Sequence, residues 1–152
     1  MYLLLRKLSR LRRDIGLRSA APGSLAIRHV DAGSCNGCEH ELGATDNPYY
    51  DMSRFGLSIA ASPRHADVLL VTGPVTTRMR TALVRAYESM PEPRLVAALG
   101  NCAMGCSLLG LATEEASGVR DVLPVDLEIP GCPPTPETIA IALTSLIESR
   151  RR

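Results

Sequence analysis

The sequence predicts an α/β domain, a mostly parallel sheet with helices on its faces. Three observations point there. Short aliphatic runs alternate with helix-length segments about four times along the chain, and such alternation builds a parallel sheet. One run, Val68-Leu69-Leu70-Val71, is aliphatic at four consecutive positions, which suits a strand buried on both faces. Gly and Pro punctuate the ends of runs, at Gly73-Pro74, at Pro91 and Pro93, and at Pro130-Gly131.

The elements follow in order. Residues 1–22 read as a basic arm and residues 23–152 as the α/β domain. Arg6, Lys7, Arg10, Arg12, Arg13 and Arg18 crowd the arm, opposed by Asp14. As a helix, Leu4, Leu8, Leu11 and Ile15 fall on one stripe. The apolar run is too short to span a membrane. Arg6 interrupts it, which argues against a secretory leader. A basic amphipathic helix lies on an anionic membrane surface or docks on a partner; a frayed, solvated terminus is the other reading.

After the Ala21-Pro22-Gly23 break, Ser24 to Val30 is expected to be a strand, and Asp31-Ala32-Gly33-Ser34 a turn leading to Cys35. Gly37 to Thr45 suits a helix that Asn47-Pro48 stops. Arg54 to Ala60 reads as a short strand, and Ala66 to Thr72 as the clearest one. Thr76 or Thr77 can cap a helix reaching about Met90. Arg94 to Leu99 is a further strand, ending in Gly100-Asn101-Cys102, and a helix is expected from about Ala103. Val125 to Ile129 is the last strand. Thr135 begins the last helix, with Pro136 at its first position and Glu137 in its first turn; Ile139, Ile141, Leu143 and Leu146 continue it.

At 152 residues the chain can bury a core without disulfide staples. Aromatic residues are 3 % of it, so the core is aliphatic and there are few platforms for stacking nucleic-acid bases. A net charge of +1 gives no overall pull toward nucleic acid. The five cysteines are an odd count. Without a secretory leader the expected compartment is reducing, where thiols stay free or bind metal.

The cysteines fall at telling places. Cys35 and Cys38 follow the first strand, Cys102 follows Arg94 to Leu99, and Cys132 follows Val125 to Ile129. Right-handed crossovers gather the loops after parallel strands at one edge, the edge where ligands bind in such sheets. Four thiolates can hold zinc or an iron–sulfur cluster. Cys35-x-x-Cys38 alone does not choose between them. Two cysteines that arrive singly favour a cluster, since zinc ribbons usually bring a second C-x-x-C pair. Gly33, Gly37, Gly100, Gly105 and Gly131 would let backbone amides approach cluster sulfurs. Gly131-Cys132-Pro133-Pro134 stiffens the loop at the last ligand. Cys106 is the surplus, read either as a small buried thiol or as an alternative ligand sharing a helix face with Cys102.

These motifs carry a resemblance. The run from Val30 to Leu42, with Cys35-Asn36-Gly37-Cys38-Glu39-His40-Glu41 at its centre, is similar to the cluster motif of the small subunits of energy-converting nickel–iron hydrogenases and formate hydrogenlyases. Ala66 to Thr76 resembles the next segment of those proteins and of the related B subunit of NADH–quinone oxidoreductase (complex I). Ala98 to Ala103 and Ile129 to Pro134 resemble the remaining ligand segments. The likeness spans about residues 25 to 148.

It implies a flavodoxin-like fold and one 4Fe–4S cluster on Cys35, Cys38, Cys102 and Cys132. It implies an electron-transfer subunit, without turnover of its own, beside a large subunit holding nickel–iron or a quinone pocket. Ferredoxin-like and membrane subunits would complete the complex, at the cytoplasmic face of the inner membrane. The two-residue gap between Cys35 and Cys38 favours the hydrogenase-like branch, since the complex I motif has adjacent cysteines. Glu41 matches a carboxylate that couples proton to electron movement better than Glu39 does; the alternative is a carboxylate favoured by a helix N-terminus. A zinc-stabilised binding module without redox function is the reading from another class.

Overall fold

A computed structural model describes residues 23–106 and 116–149. The basic arm and the segment 107–115 lie outside the described residues. Five strands form one sheet, all paired in parallel. They are β1 (Leu25–Asp31), β2 (Leu57–Ile59), β3 (Val68–Thr72), β5 (Leu95–Leu99) and β7 (Leu127–Ile129), in the spatial order β2-β1-β3-β5-β7. A second, two-stranded antiparallel pair joins β4 (Val75–Thr76) to β6 (Ala116–Ser117). The helices are α1 (Gly37–Ala44), α2 (Thr77–Glu88) and α3 (Pro136–Ser149).

The aliphatic run behaves as its composition demands. Every residue of β3 is buried, and alternate side chains enter opposite cores. Val68 and Leu70 join Leu25, Ile27 and Leu99 beneath Leu42 of α1 and Ile139 and Leu143 of α3. Leu69 and Val71 join Val96 and Ala98 beneath Leu83 of α2, with Val119 and Leu123 closing that side. Full burial of each such aliphatic is worth about 1.5–3 kcal/mol, so the period-two alternation fixes the register of the central strand. The expected α/β architecture, with helices on both faces, is the one observed.

The strand order reverses direction between β1 and β3. From β1 the chain crosses by α1 to one edge; from β3 it crosses by α2 toward the other. Such a switch point leaves a crevice at the carboxyl ends of the strands.

Local expectations were met unevenly. The strands and helices stand where expected, within a few residues. Thr76 occupies the N-cap position of α2 but does not cap it; its hydroxyl donates to the Ala32 carbonyl at 3.2 Å instead, holding β4 against the loop after β1. The helix expected from Ala103 does not begin there. Residues 101–105 form turns, with Gly105 at a φ of 81° and the Cys106 amide donating to the Asn101 carbonyl at 2.8 Å. That bond spans five residues, one more than the α-helical spacing.

Candidate metal centre

Each strand end shapes one wall of the crevice. After β1, the Asp31 Oδ1 accepts from the Gly33 amide at 2.8 Å and the Ser34 amide at 2.7 Å, and the Ser34 Oγ accepts from the Asn36 amide at 3.0 Å. Asn36 then takes a left-handed φ of 66°, which asparagine tolerates better than most residues. This places Cys35 in the loop and Cys38 in the first turn of α1. After β3, Gly73 packs directly on that loop. A Cβ there would lie 2.4 Å from the Ser34 nitrogen. After β5, Gly100 sits at φ 88°, and its absent Cβ would lie 2.6 Å from the Cys38 Sγ. After β7, Gly131 leads to Cys132, whose peptide to Pro133 is cis.

Cys35, Cys38, Cys102 and Cys132 therefore line one cleft of ≈ 560 Å³, counting its open mouth, walled by Gly73, Pro74, Asn101 and Pro133. No disulfide joins any of the four. Cys35 and Cys132 are exposed, and Cys38 and Cys102 half-buried. Among the described residues, no three Cys, His, Asp or Glu are grouped to hold one metal ion between them. The four cysteines share one cleft.

The thiols feel one another. Burial first, then the charge of Glu39, Cys102, Cys35 and Cys132, pushes the Cys38 thiol up to about 11. Four potential anions face one space, and a bound cation would relieve their repulsion and hold the thiols deprotonated.

Beneath the first cysteine pair lies a polar network that the sequence did not announce. Thr72, fully buried, donates its hydroxyl to the Glu39 Oε1 and so can accept from the His29 Nε2 at 2.9 Å. His29 Nε2 also lies 3.6 Å from the Glu39 Oε1. The Glu39 Oε2 is buried with no hydrogen-bond partner among the described residues. Burial holds the His29 imidazole below its ordinary pKa, although Glu39 and Asp31 pull the other way. The signal was faint: a histidine on β1 and a threonine ending β3 become neighbours only through the parallel pairing, in which Asp31 stands opposite Thr72.

Other expected site residues fall differently. Glu41 is half-buried on α1, and its carboxylate forms no ion pair or hydrogen bond among the described residues. Cys106 is exposed, which corrects its reading as a buried thiol; with no helix turn beneath it, it does not share a face with Cys102. It is also absent from the cleft wall.

Comparisons with known proteins identify the family and the fold. Residues 35–146 match the family of the NADH ubiquinone oxidoreductase 20 kDa subunit. The chain is 43% identical over 122 residues to the probable membrane-bound hydrogenase subunit mbhJ of Pyrococcus furiosus, covering 80% of this chain and 73% of that one. It is 44% identical over 113 residues to formate hydrogenlyase subunit 7 of Escherichia coli, covering 74% of this chain but 44% of that longer protein. Among solved structures, a chain of the archaeal membrane-bound sulfane sulfur reductase superposes with a TM-score of 0.68 at 34% identity, over 83% of this chain and 71% of that one. A chain of an NAD+-reducing [NiFe]-hydrogenase gives a TM-score of 0.68 at 19% identity, over 84% and 93% of the two, a likeness of fold. The chain thus belongs to the 20 kDa subunit family of NADH–ubiquinone oxidoreductase, the family shared with the small subunits of membrane-bound hydrogenases.

Proposed function

We propose that this chain binds one 4Fe–4S cluster through Cys35, Cys38, Cys102 and Cys132 and passes single electrons as the small subunit of a membrane-associated, hydrogenase-like complex. The observation that carries the proposal is the meeting of four cysteines from three loops in one cleft at the switch point of the sheet. The donor set fits the group: four thiols, half of them exposed, around a space large enough for a body of several atoms. Two of the four cysteines, Cys102 and Cys132, arrive singly on separate loops, whereas a zinc ribbon usually brings a second C-x-x-C pair.

Such a cluster supplies a one-electron store whose potential depends on charge, hydrogen bonding and burial. The chain's own residues set those conditions. Gly100 keeps its wall bare beside Cys38, Asp31 fixes the loop of Cys35, and Glu39 and His29 place charge and polarity under the first ligand pair. Glu41 stands one helical turn beyond Gly37, and we assign it the carboxylate role in proton coupling.

The partner would be a large subunit holding nickel–iron, with ferredoxin-like and membrane subunits in the same complex at the cytoplasmic face of the membrane. No described helix is long and apolar enough to cross a membrane, and attachment would come through the complex. The C-x-x-C spacing of Cys35 and Cys38 favours this over the quinone-reducing alternative. The likeness to a sulfane sulfur reductase makes the identity of the large subunit decisive.

Anaerobic purification tests the core of the proposal. Broad visible absorbance that dithionite bleaches, with iron and sulfide bound, is expected; a colourless chain with stoichiometric zinc would overturn it. Cys35→Ser, Cys38→Ser, Cys102→Ser and Cys132→Ser should each lose or alter the cluster, and Cys106→Ser should retain it. A co-purifying large subunit without paired C-x-x-C motifs would rule out nickel–iron.

A further inference from the structure

Asn101, on the loop after β5, bonds twice to Gly131 on the opposite wall of the cleft, the loop after β7. Its backbone amide donates to the Gly131 carbonyl at 2.8 Å. Its side-chain Oδ1 accepts from the Gly131 amide, also at 2.8 Å. The two bonds close a ring. The β5–β7 ladder ends at the Leu99–Ile129 pair, and Gly100 adds one bond to the Ile129 carbonyl at 2.8 Å. Beyond that point the side-chain amide of Asn101 substitutes for backbone and carries the pairing one step further, to the residues just before Cys102 and Cys132.

The same ring recurs twice at the other edge of the sheet. The Asp67 amide donates to the Ala26 carbonyl at 2.7 Å while its Oδ2 accepts from the Ala26 amide at 2.9 Å. Asp126 does the same to Val96, at 2.9 and 2.8 Å. The ring is thus a device this fold uses to tie neighbouring strands where backbone pairing stops.

Cys102 and Cys132 need such a tie more than the other pair. Cys35 and Cys38 are tied together by one short loop and the first turn of α1. Cys102 and Cys132 arrive singly, on separate loops, and Cys132 is exposed. Pro133 and Pro134 follow it and have no amide hydrogen to donate. Gly131, the residue just before Cys132, is where that loop is bonded to Asn101.

We propose that Asn101 is a positioning residue. Its ring with Gly131 fixes the separation of Cys102 and Cys132 and so slows loss of the metal they hold. The inference rests on the cluster reading, but the ring itself does not. Partners that orient metal ligands commonly change metal affinity or activity by about 10–100-fold when removed.

The test uses the full chain, reconstituted anaerobically with iron and sulfide, as wild type, Asn101→Leu, Asn101→Ala and Asn101→Asp. Iron release to a chelator and hydrogen–deuterium exchange at the Gly131 amide are followed in the same samples. Asn101→Leu and Asn101→Ala should release iron about 10–100-fold faster, with faster exchange at Gly131. Asn101→Asp keeps an acceptor, so Gly131 should stay protected and iron release should stay close to wild type. The alanine variant decides the matter if the leucine variant does not fold. Release at the wild-type rate from a folded variant lacking the acceptor would overturn the proposal. So would fast release from Asn101→Asp with Gly131 still protected. A wild-type chain that takes up no iron would overturn the cluster reading, and the role of the ring with it, whatever the Gly131 amide does.

Discussion

Gly100 has no room for a methyl group. Its φ of 88° disfavours any side chain, and a Cβ would sit 2.6 Å from the Cys38 Sγ. Gly100→Ala should therefore lower stability by about 1–3 kcal/mol and displace Cys38; a melt and an iron assay with both values at wild type would refute this. The motif drew attention to Gly100, but the sequence could not say which sulfur it faces. That contact joins residues 62 positions apart in sequence. His29 was illegible for a related reason, since a lone histidine in a strand has no pattern. Its pKa lies below 6.5 because burial disfavours the imidazolium, against the pull of Glu39 and Asp31 and with that of Arg28. The sign follows from linkage. Above about pH 6.5 both states are neutral there and His29 has no effect. Below it the unfolded chain takes up a proton that the folded chain resists, so stability falls until the pH reaches the depressed folded pKa. Melts of the iron-free chain should show this loss, and His29→Gln should flatten it. Asp31 does not mask the effect. Burial pushes its carboxyl up, but the amides of Ser34 and Gly33 outweigh that and hold it below 3.8, so its contribution is lost at lower pH.

At the scale of elements, the sequence spoke clearly where burial is periodic and faintly where polar side chains finish the strands. β3 could be read from four aliphatics because a two-sided core demands them. The β4–β6 pair could not, since two residues on each side carry no period. Asp67 and Asp126 belong to the second kind. Each precedes a strand and closes a two-bond ring onto its neighbour, so each extends a ladder at the amino edge of the sheet. Removing the carboxylate leaves a strand amide unpaired, a loss of about 1–3 kcal/mol. Asp67→Ala and Asp126→Ala should each lower the urea midpoint by that amount. The double variant should come close to the sum, because the rings lie in separate ladders. Iron uptake should be unchanged, since the cleft is at the opposite edge. An unchanged midpoint in either variant would show that its ring contributes nothing to stability.

For the whole molecule, the repeated β–α pattern was enough to place the loops after β1, β3, β5 and β7 at one edge, and hence to gather the four cysteines. What the pattern could not give was the openness of the site. Two of the four cysteines, Cys35 and Cys132, are exposed, as are Asn36 and Pro133 beside them. A cluster seated there would present one side to solvent in the isolated chain. Glycine and proline, with Ser34 and Asn101, wall the cleft on the remaining sides, so among the described residues no long side chain lines its mouth. We expect a second polypeptide to cover the mouth, since relatives of this chain are named as hydrogenase and formate hydrogenlyase subunits. The prediction is kinetic. Iron should leave the isolated chain for a chelator several-fold faster than it leaves the intact complex, and oxygen should bleach the isolated chain first. Pre-bleaching the isolated chain should also prevent the large subunit from binding normally if the loops of Cys35 and Cys132 form the contact. Equal release rates in the two states would mean that the partner docks elsewhere, and the open cleft would then face solvent in the working complex.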